Sequence, residues 1–388
     1  MAQSLDDISR QLKKRHRKSV RMKWLSMSAL IAAGAFLLFF LADMLIKGLP
    51  AFQQAYIEIE VDYSERAAEL PLAAVEADYR ELVSRGYLRL IPGRMVEDDS
   101  LLGTKQMEWV LADDAVDQLL KGRKSRLKDS QVAVVDRLVE EGRAELRFNT
   151  GFFTNGDSRL PEMAGLASAA IGSVLVMIIT LAFAFPVGVM TAVYLEEFAP
   201  DNRFTRFLEI NINNLAAIPS ILFGLLGLAI FINFFGAPRS SALAGGLTLG
   251  LMTLPIIIIT SRAALRSVPD SIRQAAYGVG ATRWQTVRDH VLPLSMPGIL
   301  TGAIIGLAQA LGETAPLIII GMIAYIPDAP TSFTQAATVL PAQIFTWAGM
   351  PESAYVERTA AGIIVLLSVL ITLNAAAVYL RKKFEHRW

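Results

Sequence analysis

Gln274-Ala-Ala-Tyr-Gly-Val-Gly280 and Leu292-Pro293 stand in one polar loop between two long apolar runs of this chain. The two adjacent alanines have short side chains, so another protein surface can come close to the helix that carries them. Gly280 can take backbone conformations that other residues avoid. Pro293 suits the first turn of a helix, where its missing N–H is not needed. The pattern predicts a docking loop of short helices with a break at Gly280.

The composition on either side of this loop indicates a membrane protein. Hydrophobic residues make up 53% of the chain and charged residues 19%, and the charges fall into blocks between apolar runs. Runs of this length are long enough to cross a bilayer, and only helices satisfy their own backbone there. The sequence therefore predicts an all-α polytopic membrane protein with six transmembrane helices, at 24–46, 164–194, 215–235, 242–260, 294–323 and 360–380.

The basic residues predict the orientation of the chain. Eight lysines and arginines precede residue 24, and more follow residue 380, so both termini are expected to be cytoplasmic. The first run is longer than the apolar part of a signal peptide and follows a polar leader, which favours a retained anchor. A basic leader that binds anionic lipid or nucleic acid is the alternative. We adopt the topological interpretation and predict no nucleic-acid partner.

A polar segment between the first two runs predicts a small α+β domain on the outer side. Residues 57–61 alternate between apolar and acidic, which is typical of a half-buried strand. The segment is long enough for a core of its own. We expect helices at 71–84, 106–120 and 131–141, and a second strand at 144–148. The sequence contains no cysteine, so no disulfide can hold this domain.

The search for reactive chemistry is negative. The sequence contains neither a phosphate-binding G-x-x-x-x-G-K-[ST] loop nor an H-E-x-x-H or G-x-S-x-G element. Its three histidines lie far apart, without metal-ligand spacing. We therefore predict no catalytic residue, no metal site and no bound cofactor on this chain, so energy has to come from a partner.

A polar cluster interrupts the fifth apolar run. Gly312-Glu313-Thr314-Ala315-Pro316 breaks the helical pattern, and Gln309 lies one turn before Glu313. An acidic group at that depth costs ~2.5 to 3.5 kcal/mol on insertion scales for aspartate, and such groups usually face a bundle interior or a water-filled path. One hypothesis is that Gln309, Glu313 and Thr314 line a substrate pathway. The alternative is that Glu313 and Thr314 only bond backbone groups left free at the kink.

The loop resembles the signature loop of ABC importer permeases: Glu-Ala-Ala, three residues, Gly, nine residues, Ile, one residue, Leu-Pro. The spacing is kept here, with Gln274 in place of the glutamate and His290 in place of the isoleucine. G-E-T-A-P-L at 312–317 resembles phosphate importer permeases in particular, many of which carry arginine at the position of Gln309. Further matches are Pro219-Ser220-Ile221 with Gly224, and Leu340-Pro341 with Ile344-Phe345 and Trp347.

The resemblance runs from about residue 148 to the C-terminus and implies a division of labour. A periplasmic phosphate-binding protein would deliver phosphate to a pathway between this chain and a sister permease in a bacterial inner membrane. Two ATP-hydrolysing subunits would hold ATP and Mg. The residues implied to couple to them are Gln274, Ala275, Ala276, Gly280, Leu292 and Pro293.

Two alternatives to phosphate import remain. One is a permease for another oxyanion or small solute, and the other is a membrane signalling or scaffold protein that does not transport.

The chain is expected to have five parts. They are a basic cytoplasmic leader (1–23), a first transmembrane helix (24–47), a periplasmic domain (48–162), a transmembrane domain of the ABC importer type (163–381) with its coupling loop (268–293), and a cytoplasmic tail (382–388).

Overall fold

The structure, a computed structural model, describes the backbone of residues 5–384 and the side chains of residues 12–379, 382 and 383. The remainder of the predicted leader and tail lies outside the described residues. The first helix, α1, runs without interruption over Leu5–Gly48. Its 44 residues correspond to about 66 Å at 1.5 Å per residue. The predicted first transmembrane helix therefore corresponds to the second half of α1.

Residues 53–148 fold into a three-stranded antiparallel sheet with helices around it, which we call the sheet domain. The strand order is β2-β1-β3, and in the central strand Tyr56 pairs with Leu111 on one side and Glu145 on the other. Ile57 and Ile59 are fully buried, which confirms the alternating strand. The elements are β1 Gln53–Asp62, α2 Glu65–Glu69, α3 Arg85–Glu97, β2 Lys105–Leu111, α4 Asp114–Leu120, α5 Asp129–Glu140 and β3 Ala144–Phe148.

Two of the helices predicted in this segment are wrong. Residues 71–84 form short 3-10 turns, and the helix begins only at Arg85, where the Ser84 hydroxyl accepts N–H bonds from Gly86 and Tyr87. The predicted helix at 106–120 divides into strand β2 and helix α4, because buried Val110 pairs with Ile57 of the sheet. The helix at 131–141 and the strand at 144–148 are confirmed by α5 and β3.

The second half of the chain is a helical bundle. By length and apolarity, five described helices could cross a membrane, or six if the bent pair 203–215 and 220–234 counts as one span. Turns of π-helix extend α7 to Phe198 and α9 to Phe234. The elements are α6 Gly151–Thr154, α7 Ala167–Val193, α8 Arg203–Leu215, α9 Ser220–Gly227, α10 Ala242–Arg266, α11 Asp270–Gly278, α12 Arg283–Thr286, α13 Leu292–Gly312, α14 Ala315–Ile319, α15 Leu340–Ala348 and α16 Ser353–Phe384.

Small residues allow α10 to pack closely between α7 and α13. A Cβ atom on Gly246 would lie 2.5 Å from Cβ of Ile179 in α7. A Cβ atom on Gly302 in α13 would lie 2.1 Å from the Thr260 hydroxyl oxygen in α10. Close backbone approach of this kind is how helices associate in lipid, where no hydrophobic force drives them together. The α7–α10–α13 layer therefore forms the frame of the bundle.

Two predicted spans differ from the structure. The third run, 215–235, is not one straight span, because α8 meets the segment from Ser220 at 105°. Helix α8 leaves Phe204 and Phe207 exposed on an amphipathic helix, as in helices that lie along a membrane surface. The fifth run, 294–323, ends as a helix at Gly312, and only the short α14 and α15 follow before α16.

Candidate functional site

The predicted docking loop lies at the end of the bundle opposite the sheet domain. Helix α11 carries Gln274 and Ala275 on its exposed side, while Ala276 is buried against the bundle. Gly280 follows with φ +87°, in the left-handed region that glycine tolerates best. Its N–H donates to the Tyr277 carbonyl oxygen at 3.0 Å. The structure therefore has a backbone break where the sequence predicted it.

The chain turns back toward the membrane after this break. Thr282 caps α12, with its hydroxyl accepting from the Gln285 N–H. Leu292 and Pro293 then lie inside one continuous helix that begins at Arg283 and runs to Gly312, with a π-helical turn at Val287–Val291 directly before them. The predicted helix start at Pro293 is therefore wrong, because a local π-helical turn lets the chain accommodate the missing proline N–H without ending the helix. The predicted loop residues fall on the short helix α11 and within the span that begins at Arg283. His290 is exposed and stands apart from the other two histidines in sequence.

Exposed apolar side chains flank Gly280, and the sequence analysis missed them. Tyr277 and Trp284 are about half exposed, and Val279 is 86% exposed. Exposed apolar groups that lie together mark surfaces for a partner. In the sequence, the signal for this surface was the apolar Val279 next to Gly280 within a polar loop.

The loop is fixed to the bundle by a buried ion pair. Arg273 Nη2 donates to Glu197 Oε1 at 2.6 Å, and Glu197 lies in the π-helical end of α7. The same guanidinium donates to the backbone oxygens of Leu265 and Val268. The Glu197 side chain is 7% exposed, so it depends on this partner. Hydrogen bonding to Glu197 raises the pKa of Arg273, which keeps the guanidinium charged.

A second ion cluster joins the neighbouring helix ends. Arg262 in α10 pairs with Glu196 at 3.2 Å and with Glu209 in α8 at 2.6 Å, while Arg266 also pairs with Glu196. Arg283 lies over the ring of Phe198. The sequence analysis missed these partners, although two adjacent glutamates closing an apolar run pointed toward a basic neighbour. Loop, interfacial helix and two spans are therefore tied together at this end.

The polar cluster of the fifth run lies where α13 ends. Gln309 is exposed on the last turn of α13, and Glu313 and Thr314 are half-buried just beyond it. Within the described residues, neither the Glu313 carboxylate nor the Thr314 hydroxyl forms a hydrogen bond. The backbone-capping alternative therefore has no contact to support it here. Both side chains remain available to a partner or a solute.

The packing register places this cluster within the length of the apolar helices. Gly298 faces Ala264 and Gly302 faces Thr260, so α13 and α10 run antiparallel. Continuing that register sets Glu313 level with Leu249, about 10 Å along α10 from its start at 1.5 Å per residue. Close packing of α14 on α9 holds the break in place, because a Cβ atom on Gly224 would meet Pro316 Cα at 2.8 Å. A half-buried carboxylate is therefore held level with the apolar part of α10.

The sheet domain is joined to α16 by buried charges. Lys121 of the sheet domain pairs with Asp117 at 2.5 Å and with Glu357 at 3.2 Å, and all three side chains are at most 5% exposed. Arg123 adds a contact to Glu357 at 2.6 Å. Arg358 Nη2 donates to Gln54 Oε1 at 3.1 Å. Breaking one member of such a network leaves a buried charge without compensation. The sheet domain is therefore anchored to the first turns of α16.

Comparison with known proteins gives two family matches. Residues 184–387 match the family described as "Binding-protein-dependent transport system inner membrane component". Residues 9–91 match "Domain of unknown function (DUF3333)", which covers most of α1 and the first part of the sheet domain. The first match contains the docking loop and the polar cluster.

Individual relatives agree with the first match. "Phosphate transport system permease protein PstA 1" of Mycobacterium tuberculosis is 33% identical over 57% of this chain and 73% of its own length. "Phosphate transport system permease protein PstC" of Pasteurella multocida is 29% identical over 61% of this chain and 81% of its own. Among solved structures, the inward-facing MetNI methionine ABC transporter aligns over 55% of this chain and 95% of that chain, with 19% identity and a TM-score of 0.44.

Proposed function

Because this chain belongs to the family of binding-protein-dependent transport system inner membrane components, as an inner-membrane permease of an ABC transporter, we propose that it carries phosphate. The docking loop, fixed to the bundle by Arg273 and Glu197, is the observation that carries the transport mechanism. Relatives named as phosphate permeases support the substrate.

The proposed complex supplies what this chain lacks. A sister permease completes the pathway, two ATP-binding subunits hold ATP and Mg, and a periplasmic phosphate-binding protein delivers the solute. We propose that the loop residues Gln274, Ala275, Ala276 and Gly280 press on one ATP-binding subunit. Closure of those subunits then pulls on Arg273 and moves the end of α7 with it. The bundle rocks as a unit because α7, α10 and α13 pack through glycines.

The pathway is proposed to run along the open side of α13. Glu313 and Gln309 lie one turn apart on that side, and neither forms a side-chain bond within the described residues. A carboxylate repels an anion, so we propose that Glu313 accepts a hydrogen bond from a hydroxyl group of protonated phosphate, while a positive partner on the sister permease offsets the repulsion. Thr314 offers a hydroxyl donor beside it.

Loss of this chain tests the substrate. Cells that lack it should lose high-affinity phosphate uptake and regain it when the chain is restored, while uptake of sulfate stays unchanged. Unchanged phosphate uptake in the deleted strain would contradict the proposal.

Replacing Glu313 by glutamine tests the pathway. If Glu313 lines it, E313Q should change the phosphate uptake rate by more than it changes the amount of folded complex. A purely structural role predicts that both fall together. The two quantities are measured on the same membranes by uptake and by size-exclusion of the purified complex. Normal uptake in E313Q would remove Glu313 from the pathway.

Labelling of introduced cysteines tests the proposed orientation, with both termini and the loop in the cytoplasm and the sheet domain in the periplasm. The chain has no native cysteine, so each label reports one site. A membrane-impermeant maleimide should react from outside with cysteine at Glu97 and Asp113. Cysteine at Arg283 and Lys383 should react only after the membrane is opened. Labelling of Arg283→Cys from outside would overturn the topology.

A further inference from the structure

A row of cations lies along one side of the sheet domain, although acidic residues outnumber basic ones in that domain. Three adjoining clefts of about 510, 470 and 450 Å³ follow one another there. The first two share Arg80 and Arg85, and the second and third share Arg126. We call this continuous feature the basic furrow, and its cations are Arg80, Arg85, Arg89, Lys124, Arg126 and Lys128.

The cations and the acidic residues that line the furrow differ in how many of them form ion pairs. All six cations are exposed, and Arg85, Arg89, Lys124 and Lys128 form no ion pair within the part of the chain that the structure describes. Four acidic residues line the same clefts, Glu81, Asp113, Asp114 and Glu352, of which Glu81 and Glu352 form no ion pair within the described residues. Asp113 accepts the Ala115 N–H, and Asp114 pairs with Arg126 at 2.5 Å. With six cations and four acidic residues in its lining, the furrow has a net positive charge, and its unpaired cations outnumber its unpaired carboxylates.

Two of these cations lie where their charge weakens helix α3. Arg85 is the first residue of α3 and Arg89 lies one turn further, and the first turn of α3 contains no acidic residue. A helix N-terminus favours negative charge, so cations there weaken the helix slightly. No contact within the described chain offsets that cost. This placement is more easily understood if an acidic surface from outside covers the furrow.

The furrow also touches the transmembrane helices. Its last cleft is lined by Pro351, Glu352 and Ser353, where α15 gives way to α16. Glu357, one turn further along α16, is held by the buried pair with Lys121. A partner seated in the furrow would therefore contact the sheet domain and the start of a span together.

We propose that the basic furrow is the landing surface for an acidic face of the phosphate-loaded binding protein. This inference rests on the proposed import function and assigns the sheet domain its part in it. The furrow extends over three clefts and six cations, more than a single oxyanion needs, and thus fits a protein surface. Complementary charge of this kind speeds encounter and fixes the register of docking.

Charge reversal on α3 tests the proposal in the complete importer, purified and reconstituted in proteoliposomes. The double variant R85E/R89E reverses two cations that form no ion pair with any residue that the structure describes. The concentration of phosphate-loaded binding protein that half-stimulates ATP hydrolysis should rise about tenfold at low salt, and less at high salt because screening shortens the reach of charge. The maximal rate at saturation should stay unchanged. R85K/R89K, which keeps both charges, should behave as the parent.

A matched control distinguishes an effect of charge in the furrow from an effect of the same change of charge elsewhere on the domain. R66E/R137E makes the same change of charge at exposed positions of the same domain that line none of the three clefts. It should leave the half-stimulating concentration as in the parent. An unchanged value in R85E/R89E, or an equal rise in both double variants, would overturn the furrow as the landing surface.

If something other than the binding protein occupies the furrow, the same variants should give different results. Binding of inorganic phosphate by the parent complex without binding protein, lost in R85E/R89E, would replace the proposal with a small-anion site. Loss of the sister permease from purified R85E/R89E would replace it with a subunit contact. If the parent shows no stimulation by phosphate-loaded binding protein at any concentration, the proposed function itself fails and the furrow proposal fails with it.

Discussion

Replacing Gly280 by aspartate should abolish ATP-driven phosphate uptake while the protein still inserts and assembles. Among the described residues, apart from its chain neighbours, no atom lies within 4 Å of a Cβ placed on Gly280, so a side chain can begin there without a clash. The backbone there has φ +87°, and Asp is among the residues that tolerate this region best. The main effect is thus a charge between exposed Val279 and Trp284, where we propose that an ATP-binding subunit docks.

Related substitutions identify the cause of the loss. Gly280→Asn keeps the shape of aspartate without its charge and should retain more uptake. Gly280→Ala adds left-handed strain of ~1 to 2 kcal/mol but no charge. Gly142→Asp makes the same change at φ +70° in the open turn after α5 and should leave uptake normal. Uptake and stimulated ATP hydrolysis are measured on purified complexes of equal subunit content. Parent-like uptake in G280D would remove the coupling role from this loop.

Breaking the ion pair between Arg273 and Glu197 should uncouple the loop from the bundle. Arg273→Met leaves Glu197 buried without its partner, and removing one member of a buried pair costs about 3 to 5 kcal/mol. We expect an earlier thermal unfolding transition and a loss of phosphate uptake per ATP hydrolysed. Combining R273M with E197Q removes the stranded charge and should recover stability but not coupling.

A surface pair in the same loop provides the control. Arg288 contacts Asp289 at 2.6 Å, yet both side chains are largely exposed, at 60% and 42%. Exposed pairs contribute ~0 to 1 kcal/mol, so Arg288→Met should change neither unfolding nor coupling appreciably. Equal effects of R273M and R288M would show that the buried pair has no special role.

Local sequence patterns predicted the helices and strands that depend mainly on neighbouring residues. The strand at 57–61 follows from alternation, four of the six apolar runs each coincide with a long helix, and a fifth does so up to Gly312. Gly280 predicted a backbone break because its conformational preference is intrinsic. The helix start predicted at Pro293 was wrong, since the helix already begins at Arg283.

Errors arose where distant contacts decide the structure. Residues 106–111 have helix-forming neighbours, but pairing with β1 makes them a strand. The pair of Arg273 and Glu197 joins positions 76 residues apart, so no local pattern could show it. The cations of the furrow are scattered from Arg80 to Lys128 and come together only when α3 and the segment before α5 line the same clefts.

Phosphate accumulation by the purified four-component importer tests the central claim most directly. Proteoliposomes that contain this chain, a sister permease and the ATP-binding subunits are given loaded binding protein on one side and ATP on the other. We predict phosphate uptake that requires ATP hydrolysis, proceeds against a gradient and disappears with Gly280→Asp. Uptake that is unaffected by G280D, or ATP hydrolysis that moves no phosphate, would contradict the account.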